Sequence, residues 1–321
     1  MYNKQMVRLK DIAERANVSL MTVSKALRDA KDISVKTKAK IRQLALEMGY
    51  VPDAMAQSLR TRCSRLLGLL ISSATNPIFA RTLMAIEEWS FQLGYELLVS
   101  HSLNQPDREA TCIRRMLSRR VDGMFIAPVY RFEQTAPIYE ELKRQRTRVC
   151  ILGNRAPFCG SFPAVEVDDE TASKVLTEHL IELGHRRIAF FVGPQVSPPS
   201  ASRLEGYKRA LREARIEFDD RLIFSAGSTI DEGSKAATQF IDEKCNATAV
   251  QCVSDLVAVG AGNVFLDQGI KIPQDLSLTG FGNILTSEHF RVPLTTARQP
   301  KFRLGAQGME VMQAMLRQEQ V

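Results

Sequence analysis

The 321-residue chain is 45% hydrophobic and 25% charged, a globular composition that excludes collagen, coiled coil and wholesale disorder. Its length exceeds one small core and suits two or three domains. The net charge of +7 is unevenly placed: residues 1–65 carry 14 Lys and Arg against 6 Asp and Glu, and residues 66–321 carry 29 against 30. A basic segment on a near-neutral body points to an anionic polymer partner, most simply nucleic acid. No apolar run approaches the ~20 residues of a membrane helix. The opening MYNKQMVRLKDIAERA lacks the apolar core of a signal peptide. The protein is therefore expected in the cytoplasm. Its six cysteines form no C-x-x-C pair and have no histidines at zinc spacing, so they read as reduced thiols, with no metal or cofactor expected.

Leu9, Ile12, Ala13, Ala16 and Val18 recur at helical spacing, and Asn17 stands where a helix would end. Ser19 is placed to cap a second helix, with Val23, Ala26 and Leu27 on one face. Ser34 is placed to cap a third, striped by Ile41, Leu44, Ala45 and Met48 and closed by Gly49. Three short helices, two of them joined by a tight turn, form the pattern of a helix-turn-helix domain. The four-lysine-and-arginine run Lys36, Lys38, Lys40 and Arg42 reads as a solvated face.

The run L-K-D-I-A-E-R-A-N-V-S-L-M-T-V-S-K-A-L, Leu9 to Leu27, resembles the DNA-binding head of the lactose/galactose repressor (LacI/GalR) family. The family's V-S-x-x-T-V-S stands as Val18, Ser19, Thr22, Val23 and Ser24. Its G-Y-x-P stands as Gly49, Tyr50 and Pro52, and its hinge A-x-x-L as Ala56 and Leu59. The resemblance implies a recognition helix beginning at Ser19, with Leu20 and Met21 at the positions that choose the operator. Both are apolar, so they would contact thymine methyls or exclude wrong bases rather than hydrogen-bond guanine or adenine. Ser19, Thr22 and Ser24 suit phosphate contacts, and Lys25 a guanine or a phosphate. Arg28 replaces the usual Asn and would add a backbone contact. Asp53 also departs from the family, either turning away from DNA or capping the segment that follows. Tyr50 and Ala56 are expected at the DNA. The resemblance further implies a hinge helix over 53–65 that orders on DNA, Leu59 wedging into the minor groove with Arg60 and Arg62 nearby.

Beyond residue 65, strand-like runs at Leu66–Ile71, Tyr95–Val99, Gly123–Ala127, Val149–Leu152, Ile188–Val192, Ala249–Val253 and Leu276–Phe281 alternate with amphipathic stretches at Phe79–Leu93, Arg108–Leu117, Thr171–Leu183 and Arg203–Ala214. Alternation of this kind predicts parallel sheets covered by helices, and the length suggests two lobes. This body resembles the family too. The carrying segments are H-L-I-E-L-G-H-R-R-I-A-F-F-V-G-P at 179–194, Arg203 to Tyr207, Asp255 with Ala258 and Gly260, Pro273 to Phe281, and Pro293 to Thr296. The implied fold is that of periplasmic sugar-binding proteins, two α/β lobes joined by three crossovers. Domains are placed at 1–52 (head), 53–65 (hinge) and 66–321 (body), the first lobe being about 66–164 with 296–321 and the second about 165–295.

Five residues carry over as ligand contacts. Phe79 would stack on the ligand, Arg203 would offer its planar donors, and Ser254, Asp255 and Asn154 would line the cleft. Gly282 and Asn283 stand where the family has Asp-Asp or Asp-Asn, which removes a strong acceptor. No Walker loop, G-x-S-x-G, H-E-x-x-H or G-x-G-x-x-G is present, and an enzyme is not expected. Gly260-x-Gly262 reads as close helix packing. The expected protein is a dimeric transcriptional repressor on a pseudo-palindromic operator, controlled by a sugar-like small molecule. The competing readings are a sugar receptor with a basic extension and a DNA-binding protein without an effector.

Overall fold

The computed structural model describes residues 7–51 and 63–317, in two compact units that divide between Ser64 and Arg65. In the first unit, α1 (Leu9–Ala16) ends at Asn17, whose φ of 56° is the left-handed conformation that Asn tolerates. The Ser19 hydroxyl accepts the Thr22 N–H at 3.0 Å and starts α2 (Leu20–Leu27). Ser34 accepts the Thr37 N–H at 3.2 Å and starts α3 (Val35–Glu47), which closes at Gly49. Ile12, Ala13, Ala16, Val23, Ala26, Ile41 and Ala45 form a common core, with Val18, Leu27 and Tyr50 packed at its edge.

The second unit contains two five-stranded parallel sheets. The first joins β1 (Leu66–Ile71), β2 (Glu96–His101), β3 (Gly123–Ile126), β4 (Val149–Leu152) and β5 (Ala164–Val165) in the order β2-β1-β3-β4-β5. Side chains alternate between its faces because the strand period is two. Leu67, Leu69, Phe125 and Cys150 meet Ile86 of α4 (Pro77–Gln92) and Met309 and Met312 of α12 (Lys301–Arg317). On the opposite face Leu70, Met124, Ile126 and Ile151 meet α5 (Pro106–Ser118) and α6 (Pro137–Arg144). The apolar runs without polar alternation follow from this two-sided burial.

The second sheet joins β6 (Ile188–Val192), β7 (Ile223–Ser225), β8 (Ala249–Cys252), β9 (Ser277–Gly282) and β10 (Thr295–Arg298) in the order β10-β9-β8-β6-β7. Ile188, Phe190 and Ala249 pack on α7 (Asp169–Glu182) and α8 (Pro198–Glu213). Phe191, Val250 and Cys252 pack on α9 (Ile230–Asp242) and α10 (Asp255–Asp267). A short α11 (Leu285–His289) follows β9.

The described residues pass between the lobes twice, after β5 and between β10 and α12, against the three crossings expected. The last described helix, α12, lies on the first lobe, where the Thr82 hydroxyl donates to the Lys301 carbonyl at 3.0 Å. Residues 296–298, expected with the first lobe, instead pair with β9 in the second sheet. β5, β7 and β10 fall outside the expected apolar runs; each is a short edge strand of its sheet. No helix among the described residues is long and apolar enough to cross a membrane.

Candidate functional site

The exposed face of the head is set by the spacing of α2. Val23 and Ala26 face the core at 0% exposure, whereas Leu20 and Met21 stand out from it at 51% and 60%. Ser19 and Thr22 bond each other through their hydroxyls at 2.9 Å, and Ser19 is occupied as the helix cap. Lys25 forms an ion pair with Asp32 at 2.5 Å, and this contact holds the Asp32 carboxyl below its ordinary range. Arg28 folds back on its own helix, its Nε donating to the Ser24 carbonyl at 2.9 Å and its Nη2 to the Ser24 hydroxyl at 3.2 Å. Both cations expected at DNA are thus engaged within the head, in exposed contacts worth little that DNA phosphates can displace. Tyr50 packs at the edge of the head core, and its N–H donates to the Ala45 carbonyl at 2.9 Å. On α3, Lys38 and Arg42 converge on Asp29, at 3.1 and 2.8 Å, and depress its carboxyl. Pro52, Asp53, Ala56, Leu59, Arg60 and Arg62 lie outside the described residues.

In the body, a cavity of about 210 Å³ lies between the lobes at the carboxyl ends of the strands. Asn76, which caps α4, and Ile78 in its first turn line it from the first lobe, and Ser197, Ser200, Arg203, Ser254 and Asp255 line it from the second lobe. Strand ends in open α/β sheets expose loops and helix starts together, which makes them ligand sites. Pro194, Pro199, Val253, Leu256, Phe281 and Ile284 make the wall largely apolar.

Arg203 is only 7% exposed. Its Nε and Nη2 donate to Asp169 Oδ1 at 2.9 and 2.7 Å, and its Nη1 to the Val253 carbonyl at 2.6 Å. Its guanidinium lies 3.8 Å from the centre of the Phe281 ring. Three of its five N–H donors are committed to protein. Burial pushes the Asp169 carboxyl up, and the Arg203 charge pulls it back down. Asp255, 1% exposed, is fully engaged. Its Oδ2 accepts from the Ile284 N–H at 2.9 Å and the Ser287 hydroxyl at 2.7 Å, and its Oδ1 from the Thr296 hydroxyl at 2.6 Å. Asp255 thereby ties α10 to the loop after β9 and to β10. Ser254 caps α10 by accepting the Val257 N–H at 3.3 Å.

Two residues expected in the cleft lie elsewhere. Phe79 packs at the edge of the first lobe's core with Leu67 and Leu69 and does not line the cavity. Helical rotation turns Ile78, one residue earlier, to the wall instead. Asn154 does not line it either; its carbonyl accepts the Tyr130 hydroxyl at 2.8 Å. Asn76, Ser197, Ser200, Ser228 and Phe281 were missed as lining residues; the first three follow predicted strands and Phe281 ends one, whereas Ser228 follows β7, which no apolar run announced. Ser200 matters most among them, because its buried hydroxyl has no hydrogen-bond partner among the described residues.

The glycines in β9 have steric causes. A Cβ on Gly280 would stand 2.2 Å from Asp255 Oδ1, so only glycine admits this carboxylate. Gly282 has a φ of +134°, and its carbonyl accepts the buried Lys301 ammonium at 2.5 Å. Burial lowers the pKa of that ammonium.

A helix-turn-helix head and a two-lobed body with a cleft define the class of ligand-responsive DNA-binding regulators. Residues 8–53 match the pattern described as bacterial regulatory proteins, lacI family, and residues 64–320 the one described as periplasmic binding proteins and sugar binding domain of LacI family. The chain is 31% identical over 307 residues to the HTH-type transcriptional repressor PurR of Vibrio atlanticus (strain LGP32), covering 96% of this chain and 91% of that one. It is 32% identical over 302 residues to the HTH-type transcriptional repressor CytR of Escherichia coli (strain K12), covering 94% and 87%. Among solved structures it is similar to the lac repressor dimer bound to operator and the anti-inducer ONPF, at 25% identity and a TM-score of 0.86, over 99% and 94% of the two chains. The chain belongs to the LacI family of bacterial transcription regulators.

Proposed function

We propose that this protein is a transcriptional repressor that binds a pseudo-palindromic operator as a two-fold dimer and is released from it, or recruited to it, by a small uncharged molecule in the interlobe cavity. The observation that carries the reading is the face of α2, where Leu20 and Met21 project from a Ser19-capped helix whose other side is buried. In this reading residues 1–52 are the DNA-binding domain, 53–65 the hinge and 66–321 the effector-binding and dimerising body. Leu20 and Met21 choose the bases. Ser19, Thr22, Ser24, Lys25, Arg28 and Tyr50 fix the head on the backbone, and Ala56 and Leu59 act in the minor groove.

The lining supports an uncharged, sugar-sized effector. Its two ionic groups are already satisfied, Arg203 by Asp169 and Asp255 by three donors. What is left to a ligand is a set of short hydroxyls, two guanidinium N–H donors and apolar faces that include Phe281. Differential affinity of the effector for the DNA-bound and free forms would supply the coupling. No constellation in the cleft suggests catalysis, and the chain is read as a regulator and not an enzyme.

Selection of genomic fragments by the purified protein at about 0.15 M salt tests the reading, since phosphate contacts make affinity depend on salt. Recovery of a short palindrome, with Leu20→Ala and Met21→Ala shifting the recovered sequence, is the expected result. Fragments without a shared sequence, both with and without candidate sugars, would overturn it.

A further inference from the structure

The charge of the body is neutral in sum but not in place. Each helix of the first lobe runs back against its strands, so the carboxyl ends of α5 and α6 lie at the edge where β3 and β4 begin. The end of α12 joins them, because Arg148, just before β4, donates from Nε to the Met315 carbonyl at 3.2 Å. Arg119 and Arg120 follow α5, Lys143, Arg144 and Arg146 end or follow α6, and Arg317 ends α12. All six are exposed, and none forms an ion pair among the described residues. Of the nearby acids, Asp122 accepts the Arg65 backbone N–H at 2.9 Å and Glu141 pairs with Arg114 at 3.2 Å; Glu96, at the start of β2, forms no ion pair among the described residues. A second cavity, about 320 Å³, opens here between Lys143, Thr147, Arg146, Arg148 and Ser161, with no acid in its lining among the described residues.

Cations at helix carboxyl ends are favoured by the helix dipole wherever they occur. The second lobe is an internal control for that explanation. There α9 ends in Asp242 and Glu243, α10 ends in Asp267, and neither has a basic residue in its last turn. Its cations at that edge are mixed with acids: Arg187 pairs with Asp219 and Arg291 with Asp267, and the exposed Arg186, Arg212, Arg215, Lys244 and Lys271 stand among Glu182, Glu213, Asp242, Glu243 and Asp275. The dipole acts equally on both lobes, so it does not account for the predominance of cations over acids at the first lobe's edge.

We propose that the strand-start edge of the first lobe is a second DNA-contacting surface, which binds phosphates without reading sequence. The chain enters the body at this edge, at Arg65, directly after the segment that leads from the head. An edge of unpaired, exposed guanidinium and ammonium groups matches the regular negative charge of a duplex, and neutralising phosphates releases counterions. This inference rests on the DNA-binding reading given above.

The test is binding of the full-length protein to a mixed-sequence 40-base-pair duplex between 50 and 200 mM KCl. The variant is Arg119→Gln/Lys143→Gln/Arg144→Gln, which spares Arg120 and Arg146 because their φ values of 55° and 51° suit few residues. Each lost phosphate contact is expected to make the slope of log affinity against log salt shallower by about 0.9. The triple variant should therefore lose about 1–3 in slope and at least about tenfold in affinity at 100 mM KCl. Thermal melting checks that the variant is folded. If the triple variant does not fold, Arg119→Gln and Arg144→Gln singly serve, each expected to shift the slope by up to about 0.9. Wild-type binding with a slope that the variants leave unchanged overturns the second surface alone. Absence of wild-type binding to any duplex overturns the DNA-binding reading and the surface with it.

Discussion

Arg203 and Asp169 form a pair whose energetics separate positioning from binding. Both are buried, joined at 2.7 and 2.9 Å, and the guanidinium lies over Phe281. Asp169→Asn strips a buried cation of its countercharge and is expected to cost about 3–5 kcal/mol in urea unfolding at neutral pH. Arg203→Met with Asp169→Leu removes both charges and is expected to recover most of that loss. A single substitution costing under about 1 kcal/mol would mean that water reaches the pair. The prominence of Arg203 was legible from its motif, but its employment was not. Nothing in the spacing of Arg203, Asp169 and Val253 shows that a helix start, a second helix and a strand end converge. Asp255 illustrates the same limit, because its three donors come from 29, 32 and 41 residues further along the chain.

At the scale of elements, local rules sufficed where the determinants are local. Asn17, Ser19, Ser34 and Gly49 set the head's helix ends through backbone conformation and caps within four residues. Helix pairing in the body depends on close approach instead. A Cβ on Gly206 of α8 would stand 2.1 Å from the Glu170 carbonyl oxygen of α7, backbone that cannot step aside without opening the pair. Alanine's better helix propensity favours Gly206→Ala by only about 1 kcal/mol. Forcing the helices apart costs about 1–3 kcal/mol or more, so the variant is expected to be net destabilised in urea. A variant more stable than the parent would show that the two helices can separate freely. Gly260, inside α10, was read from sequence as close packing, and a Cβ there would meet the Ile230 carbonyl at 2.0 Å.

For the whole molecule, two separate cores predict separable unfolding. The head is a compact unit with its own small core. Calorimetry is expected to resolve two transitions, since multidomain chains depart from a single two-state step. An effector at one hundred times its dissociation constant adds about 2.7 kcal/mol to the unit that binds it. The larger transition should therefore move and the smaller stay. A shift of both together, or of the smaller alone, would contradict an effector site confined to the body. The sequence by itself determined the helix-turn-helix head, the alternating α/β body and the family, because caps, stripe periods and motif spacings are short-range signals. Only the tertiary structure decided that Ile78 and not Phe79 lines the cleft, that Arg203 and Asp255 are already satisfied, and that six exposed cations from three helix ends of the first lobe share one edge. Those outcomes depend on side-chain directions and on contacts between residues far apart in the chain, which no local pattern encodes.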